Sequence, residues 1–245
     1  MAQRVLVVGG SEEYVGAVYL AAIAALRSGA ESVVVMAPEK VAWALNALSP
    51  DLMTRKLPGG CLSSAHRGEI DHYLETADVL LLGNGAGVRD ETASLMRSLM
   101  ALPIAKVADA DALKVLRDND IQNAILTPNE GEWAFLCERN DIAALLARGN
   151  VIVKKGDEAE ILSGKERRPL PEANPGLAKA GMGDVLAGLC AGFLAQGLTL
   201  LEAAERAVEI GSQAARALTE QAGGYYFLAS ELAREVENSR ARGLK

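Results

Sequence analysis

Histidine and cysteine are scarce in this chain, and long apolar runs are missing. There are two histidines, His66 and His72, and three cysteines, Cys61, Cys137 and Cys190, with no CxxC pair. That set falls short of an ordinary zinc site, and the thiols read as reduced side chains rather than a disulfide framework. No stretch approaches the roughly 20 apolar residues of a membrane span. The apolar run inside "MAQRVLVVGG" is too short for a signal-peptide core with its flanks. A soluble, cytoplasmic protein without a membrane partner is expected. Positive charge is also short: 25 Lys and Arg against 32 Asp and Glu leave a formal net charge of −7, and only "GKERRPLP" is locally basic. Without a strong positive field, no nucleic-acid partner is expected. The first glycine-rich turn, "GGSEEYVGA", fits neither G-x-G-x-x-G nor G-x-x-x-x-G-K-[ST].

What is present is apolar and regularly patterned. Half of the 245 residues are hydrophobic, enough for a substantial core, and one domain over 1–245 is expected. Short β-rich runs occupy residues 4–9, 32–37, 78–83, 104–109, 123–128 and 150–156, most separated by helix-length segments. This alternation predicts an α/β fold with a mostly parallel central sheet and helices on both faces. "GAVYLAAIAALRSGA" reads as a helix, apolar nearly all round, that stops at Gly29. After residue 156 the pattern changes to a short hairpin with a polar tip and a Gly- and Pro-rich loop. Helices are then predicted over about 184–197, 200–221 and 228–242, with Glu202 and Arg206 as an i,i+4 pair in the second.

In an open parallel sheet, ligands bind beyond the carboxyl ends of the strands. The loops there are "GGSEEYVGA" (9–17), "GNGAG" (83–87), "DADAL" (109–113), "TPNEGE" (127–132) and "KGDEAE" (155–160). Each admits two readings. Gly16 and Ala17 allow either a ligand or tight strand–helix packing. "GNGAG" either turns sharply or bares amides to a phosphate or ring. Asp109 either caps a helix or takes a polar or water-mediated magnesium role. Glu130 and Glu132 suit the dipole of a helix start, whereas Thr127 and Asn129 also suit ligand contact. Lys155 is either a solvated charge or a nucleotide contact ahead of Gly156. Asp184, in "GLAKAGMGDVLAGL", either caps a helix or stands as a base beside an anion held by the amides of Gly181 and Gly183.

Taken in order, "GSxxYxGA", "GNGAG", "DADAL", "TPNxGE", "KKG" and "NPGLAxAGxGDVLAG" resemble the ADP/ATP-dependent NAD(P)H-hydrate dehydratases of the ribokinase-like superfamily. The resemblance runs from about residue 4 to about 222, and "NPGLAKAGMGDVLAG" is its most specific part. It implies a ribokinase-like three-layer sandwich that repairs hydrated NADH or NADPH: a phosphoryl group moved from ADP or ATP to the ring hydroxyl becomes a leaving phosphate. It implies Asp184 as the catalytic base; Ala17, Gly87, Asn129 and Asp184 as hydrate contacts; Lys155, Gly156, Asp157, Glu158, Ala159 and Gly183 as nucleotide contacts; and Mg²⁺ travelling with the nucleotide. A homo-oligomer, with a tetramer among its forms, is also implied. Two motifs depart from the family pattern: Asn129 stands where histidine is usual, and "GNGAG" replaces "GPGLG" through Asn84 and Ala86. Both lie on the substrate side. The alternatives are an ATP-dependent kinase of a small-molecule alcohol from the same superfamily and a nucleotide-binding subunit without turnover.

Overall fold

The structure, a computed structural model, describes residues 3–117 and 120–243, without the side chains of 240–243. The outermost residues of the domain expected over 1–245 lie outside that range. The chain opens with β1 (Arg4–Val8), α1 (Val15–Arg27), β2 (Ser32–Pro38), α2 (Glu39–Leu48), β3 (Met53–Leu57) and α3 (Arg67–Leu74). It continues through β4 (Val79–Leu82), α4 (Asp90–Met100), β5 (Ala105–Ala108), α5 (Asp111–Val115), β6 (Ala124–Leu126), α6 (Glu130–Arg139) and α7 (Ile142–Ala147). The last part holds β7 (Val151–Lys154), β8 (Glu160–Ser163), β9 (Glu166–Pro169), α8 (Met182–Ala195), α9 (Leu200–Ala222) and α10 (Ala229–Gly243).

The nine strands of the described residues form one sheet in the order β3-β2-β1-β4-β5-β6-β7-β8-β9. Pairings from β3 to β7 are parallel, and β7-β8 and β8-β9 are antiparallel. The strand order reverses direction at β1, between β2 and β4, so two carboxyl-end loops part there and leave a crevice. Alternate residues point to opposite faces, and both faces are apolar because both are covered by helices. Val5, Val7, Val33, Val35 and Leu81 join one core with α1, α2, α8, α9 and α10. Leu6, Val8, Met36, Leu80 and Leu82 join the other, under the helices from α3 to α7. The result is the expected three-layer α/β arrangement.

Helix α1 ends at Arg27 with Ser28 as its C-cap, and Gly29 follows with φ +106, a conformation that suits glycine. Its partner is α8, and the approach is close because of two glycines. A Cβ on Gly188 would lie 2.1 Å from the Ala21 carbonyl oxygen, and one on Gly192 would lie 1.8 Å from Ser28 Oγ. Three details differ from the pattern read along the chain. β3, "MTRKL", is an unforeseen edge strand in which Leu57 alone is fully buried, so it lacks the apolar run that marks its neighbours. Glu202 does not pair with Arg206. It closes a capping box with Thr199, and Arg206 turns instead to Glu209. α8 begins at Met182 rather than at 184, which changes what Asp184 can do.

Candidate active site

Gly181, at φ +86, is the N-cap of α8, and no side chain caps the helix. Asp184 therefore lies within the first turn, and its carboxylate is not a cap. The Met182 N–H bonds the Lys179 carbonyl at 3.3 Å. Among the described residues the amides of Gly183 and Asp184 have no such partner, which leaves them at the positive end of the helix dipole. The loop ahead of the helix is tied down from both sides. Asn174 accepts from Gly176 N at 2.8 Å and donates to Thr219 Oγ1 at 2.9 Å, and Lys179 Nζ donates to the carbonyls of Tyr225 and Phe227.

The carboxylate of Asp184 turns toward the sheet. Its Oδ1 accepts from Asn84 Nδ2 at 2.7 Å, and the same nitrogen donates to Asp109 Oδ2 at 3.0 Å. Asp109, at the end of β5, is almost wholly buried. Its Oδ1 also accepts from Thr127 Oγ1 at 2.7 Å and from Lys155 Nζ at 3.2 Å. Three donors thus converge on one carboxylate, and the helix cap expected of Asp109 is not formed: the cap of α5 is Ala110. The Lys155 ammonium sits against the mouth of α8, where a Cβ on Gly183 would lie 2.9 Å from Nζ. A lysine charge and free helix amides at one point form an anion site.

"TPNEGE" builds the opposite wall. Asn129 caps α6, with Oδ1 accepting from Glu132 N at 2.9 Å and Glu132 Oε2 accepting from Asn129 N at 2.9 Å. Pro128 O receives the Lys155 N–H at 2.9 Å. Glu130 Oε1 accepts from Asp157 N at 3.3 Å and fills the space where a Gly156 side chain would stand, so this turn (φ +117) suits glycine.

A cavity of about 1350 Å³ lies over these groups. Asn129, Lys155, Gly156, Asp157, Ala159, Gly183 and Asp184 line it, together with the apolar side chains of Leu177, Leu186, Leu189 and Val208. Three of the hydrate and nucleotide contacts implied by the resemblance are not on its walls. Ala17 abuts Gly85 across the sheet switch. Gly87 has open space at its Cα, and its N–H donates to Asp111 Oδ2 at 2.8 Å. Glu158 is highly exposed and pairs with Lys154 at 3.4 Å. Within "GNGAG", Gly83 and Gly85 serve close packing, against the Asp109 carbonyl and Tyr14 respectively. The group that sequence reasoning missed is Asn84, whose side chain joins two acids 25 and 100 residues away.

Burial pushes the Asp184 carboxyl up to about 6, against the lowering effect of its Asn84 bond. Asp109 and Glu132 raise it further, and Lys155 lowers it. Burial likewise raises Glu132, partly offset by its bond from the Asn129 backbone. A carboxylate poised just below neutrality, beside an anion site, can accept a proton from a hydroxyl aimed at a phosphate.

The chain is similar to proteins with a shared description. The family profile for NAD(P)H-hydrate dehydratase matches residues 5–238. The bifunctional NAD(P)H-hydrate repair enzyme Nnr of Pyrobaculum aerophilum is 36% identical over 244 residues, an alignment covering 94% of this chain and 48% of that protein. The chain thus spans about half the length of the curated relatives it matches. A ribokinase-like superfamily protein of Enterococcus faecalis superposes with a TM-score of 0.82 at 25% identity, covering 98% of this chain and 87% of its own. The ADP/ATP-dependent NAD(P)H-hydrate dehydratase of Bacillus subtilis, co-crystallised with ATP/Mg²⁺, shares the fold with a TM-score of 0.77 at 23% identity, covering 98% and 89%. The fold is thus ribokinase-like, the matched span reaches every strand and the first turn of α8, and the chain belongs to the NAD(P)H-hydrate dehydratase family.

Proposed function

We propose that this chain dehydrates hydrated NADH or NADPH at the expense of ADP or ATP. The observation that carries the reading is the Asp184 carboxylate, free of capping duty in the first turn of α8, beside the Lys155 ammonium and the open helix amides. Family membership supports the remaining assignments, and the cavity wall adds to those of Gly156, Asp157, Ala159 and Asn129. The nucleotide lies along Lys155, Gly156, Asp157, Glu158, Ala159 and Gly183, and the hydrate lies near Ala17, Gly87 and Asn129.

Hydroxide is a poor leaving group, so the ring hydroxyl must first be converted. Asp184 accepts the hydroxyl proton while the oxygen attacks the terminal phosphorus of the nucleotide. The bond from that phosphorus to the bridging oxygen breaks, and its electron pair stays with the departing nucleotide. Lys155 and the amides of Gly183 and Asp184 hold the negative charge of the transferring group through the transition state. The carbon–oxygen bond then breaks as the ring nitrogen lone pair moves in, phosphate departs with the bonding pair, and loss of a ring proton restores the reduced nicotinamide.

Magnesium supplies neutralisation of phosphate charge when bound. Among the described residues no three His, Cys, Asp or Glu side chains gather to hold a metal, and both oxygens of Asp109 already accept from other side chains. This donor set fits an ion carried mainly on nucleotide phosphates and water, with Lys155 and the α8 amides holding those phosphates.

The test incubates the protein with hydrated NADH, Mg²⁺ and either ADP or ATP while reduced-nicotinamide absorbance is followed. Recovery that needs nucleotide and is lost in Asp184→Asn is the expected result. A stable phosphate ester without recovery would point to an alcohol kinase instead.

A further inference from the structure

We infer that Asn84 is a positioning residue: through one amide nitrogen it holds the carboxylates of Asp184 and Asp109 as a fixed pair and leaves Oδ2 of Asp184 as the oxygen that meets the substrate. The inference rests on the proposed role of Asp184 as base. Its geometry stands independently of that role. Nδ2 carries two hydrogens, and both are engaged, at 2.7 Å with Asp184 Oδ1 and at 3.0 Å with Asp109 Oδ2. Among the described residues no donor reaches Asp184 Oδ2, and Asp184 lines the cavity.

Asn84 is itself placed with little freedom. It is wholly buried, its backbone oxygen accepts from Gly10 N at 2.9 Å, and it stands between two glycines of positive φ, Gly83 and Gly85. A Cβ on Gly83 would lie 2.2 Å from the Asp109 carbonyl oxygen, and one on Gly85 would lie 2.5 Å from that of Tyr14. The loop is therefore pinned on both sides of the amide.

The other end of the side chain shows what the residue is for. Asn84 Oδ1 is buried and, among the described residues, meets no hydrogen-bond partner. An asparagine retained only to stabilise the fold would not leave a carbonyl oxygen stranded, because a leucine of similar size would fill the space without that penalty. What leucine cannot do is separate two carboxylates. Asp184 faces Asp109 at the end of β5 and Glu132 in α6, both of which disfavour its charge, and Lys155 at the end of β7, which favours it. Without the bridging amide the two aspartates would compete for a proton, and the base would be lost near neutral pH.

The experiment uses protein carrying ¹³C-carboxyl aspartate, with the Asp184 resonance identified by its absence in Asp184→Asn. Its titration is compared in wild type, Asn84→Leu and Asn84→Ala, alongside the pH dependence of kcat. In both variants the Asp184 midpoint is expected to rise by roughly one pH unit or more. The acidic limb of kcat should move with it, while the nucleotide KM changes little. An Asp184 midpoint unchanged in a folded Asn84 variant overturns the inference. So does failure of both variants to fold, which would make Asn84 a folding residue. A wild-type protein that repairs no hydrated nucleotide, but in which Asp184 still shifts on replacing Asn84, would sink the proposed reaction and uphold the bridge.

Discussion

At the scale of single residues, Asp184 joins two pH dependences of opposite sign. As the proposed base it must be ionised, so turnover should fall as pH drops through about 6, its raised midpoint. Its carboxyl midpoint is higher folded than unfolded, so the stability it contributes is full below the ordinary value of 3.8 and is lost as pH rises through about 6. Asp184→Asn should therefore lower kcat roughly 10²- to 10⁴-fold yet still bind nucleotide. The same variant should melt higher than wild type at pH 7.5, with the gap closing toward pH 4. The shift corresponds to about 3 kcal/mol; water reaching the cavity screens part of it, leaving about 1–2 kcal/mol. Melting curves across that pH range check the sign. Gly183 offers a second test. In Gly183→Ala the new methyl group meets only the flexible end of Lys155, so the melting temperature should hardly move. Displacing the ammonium from the helix mouth should raise the nucleotide KM roughly tenfold, about the loss of one charge-assisted contact. Lys155 and Asn129 could be singled out in the sequence because each follows a strand in a glycine-marked loop, and Asp184 because glycines stand just ahead of it at a helix start. Asn84 was visible only as a departure from a family pattern. Its two partners are distant in sequence, and no local spacing encodes that contact.

At the scale of elements, the packing of α1 on α8 sets the position of the site. The two helices touch through small residues, and Gly188 and Gly192 let the backbones approach. The neighbours here are backbone carbonyls and a buried serine, which cannot swing aside. Gly188→Ala and Gly192→Ala should each cost about 3 kcal/mol or more, a fall of roughly 6–12 °C in melting temperature for a chain of this size. Calorimetry or fluorescence melting reads it directly. A helix displaced in this way carries its first turn with it, so kcat should fall as well. The parallel strands were legible because burial on both faces leaves continuous apolar runs. β3 was not, since "MTRKL" fully buries Leu57 alone and leaves its other residues half-buried or exposed. The start of α8 was misplaced by two residues because a left-handed glycine, not an acid, caps it. That small error is what kept the helix-cap reading of Asp184 open beside the reading as a base.

At the scale of the whole molecule, the sheet is shared by two cores, one on each face. We propose that they melt as one unit, because every central strand contributes to both. The two tryptophans report on different places: Trp43 on α2, largely exposed, and Trp133 on α6, packed against the second core. Urea unfolding followed in Trp43→Phe and in Trp133→Phe should give coincident transitions. Separate midpoints would mean that the halves unfold independently. The pairing of α1 with α8 also has a bearing on biosynthesis. Residues 28–181, 154 in all, separate the two helices. At ribosomal speeds of about 5–20 residues per second, the apolar flank of α1 waits roughly 8–30 s for its cover. During that interval the nascent chain presents a sticky helix beside half-assembled strands, a natural substrate for a holdase chaperone.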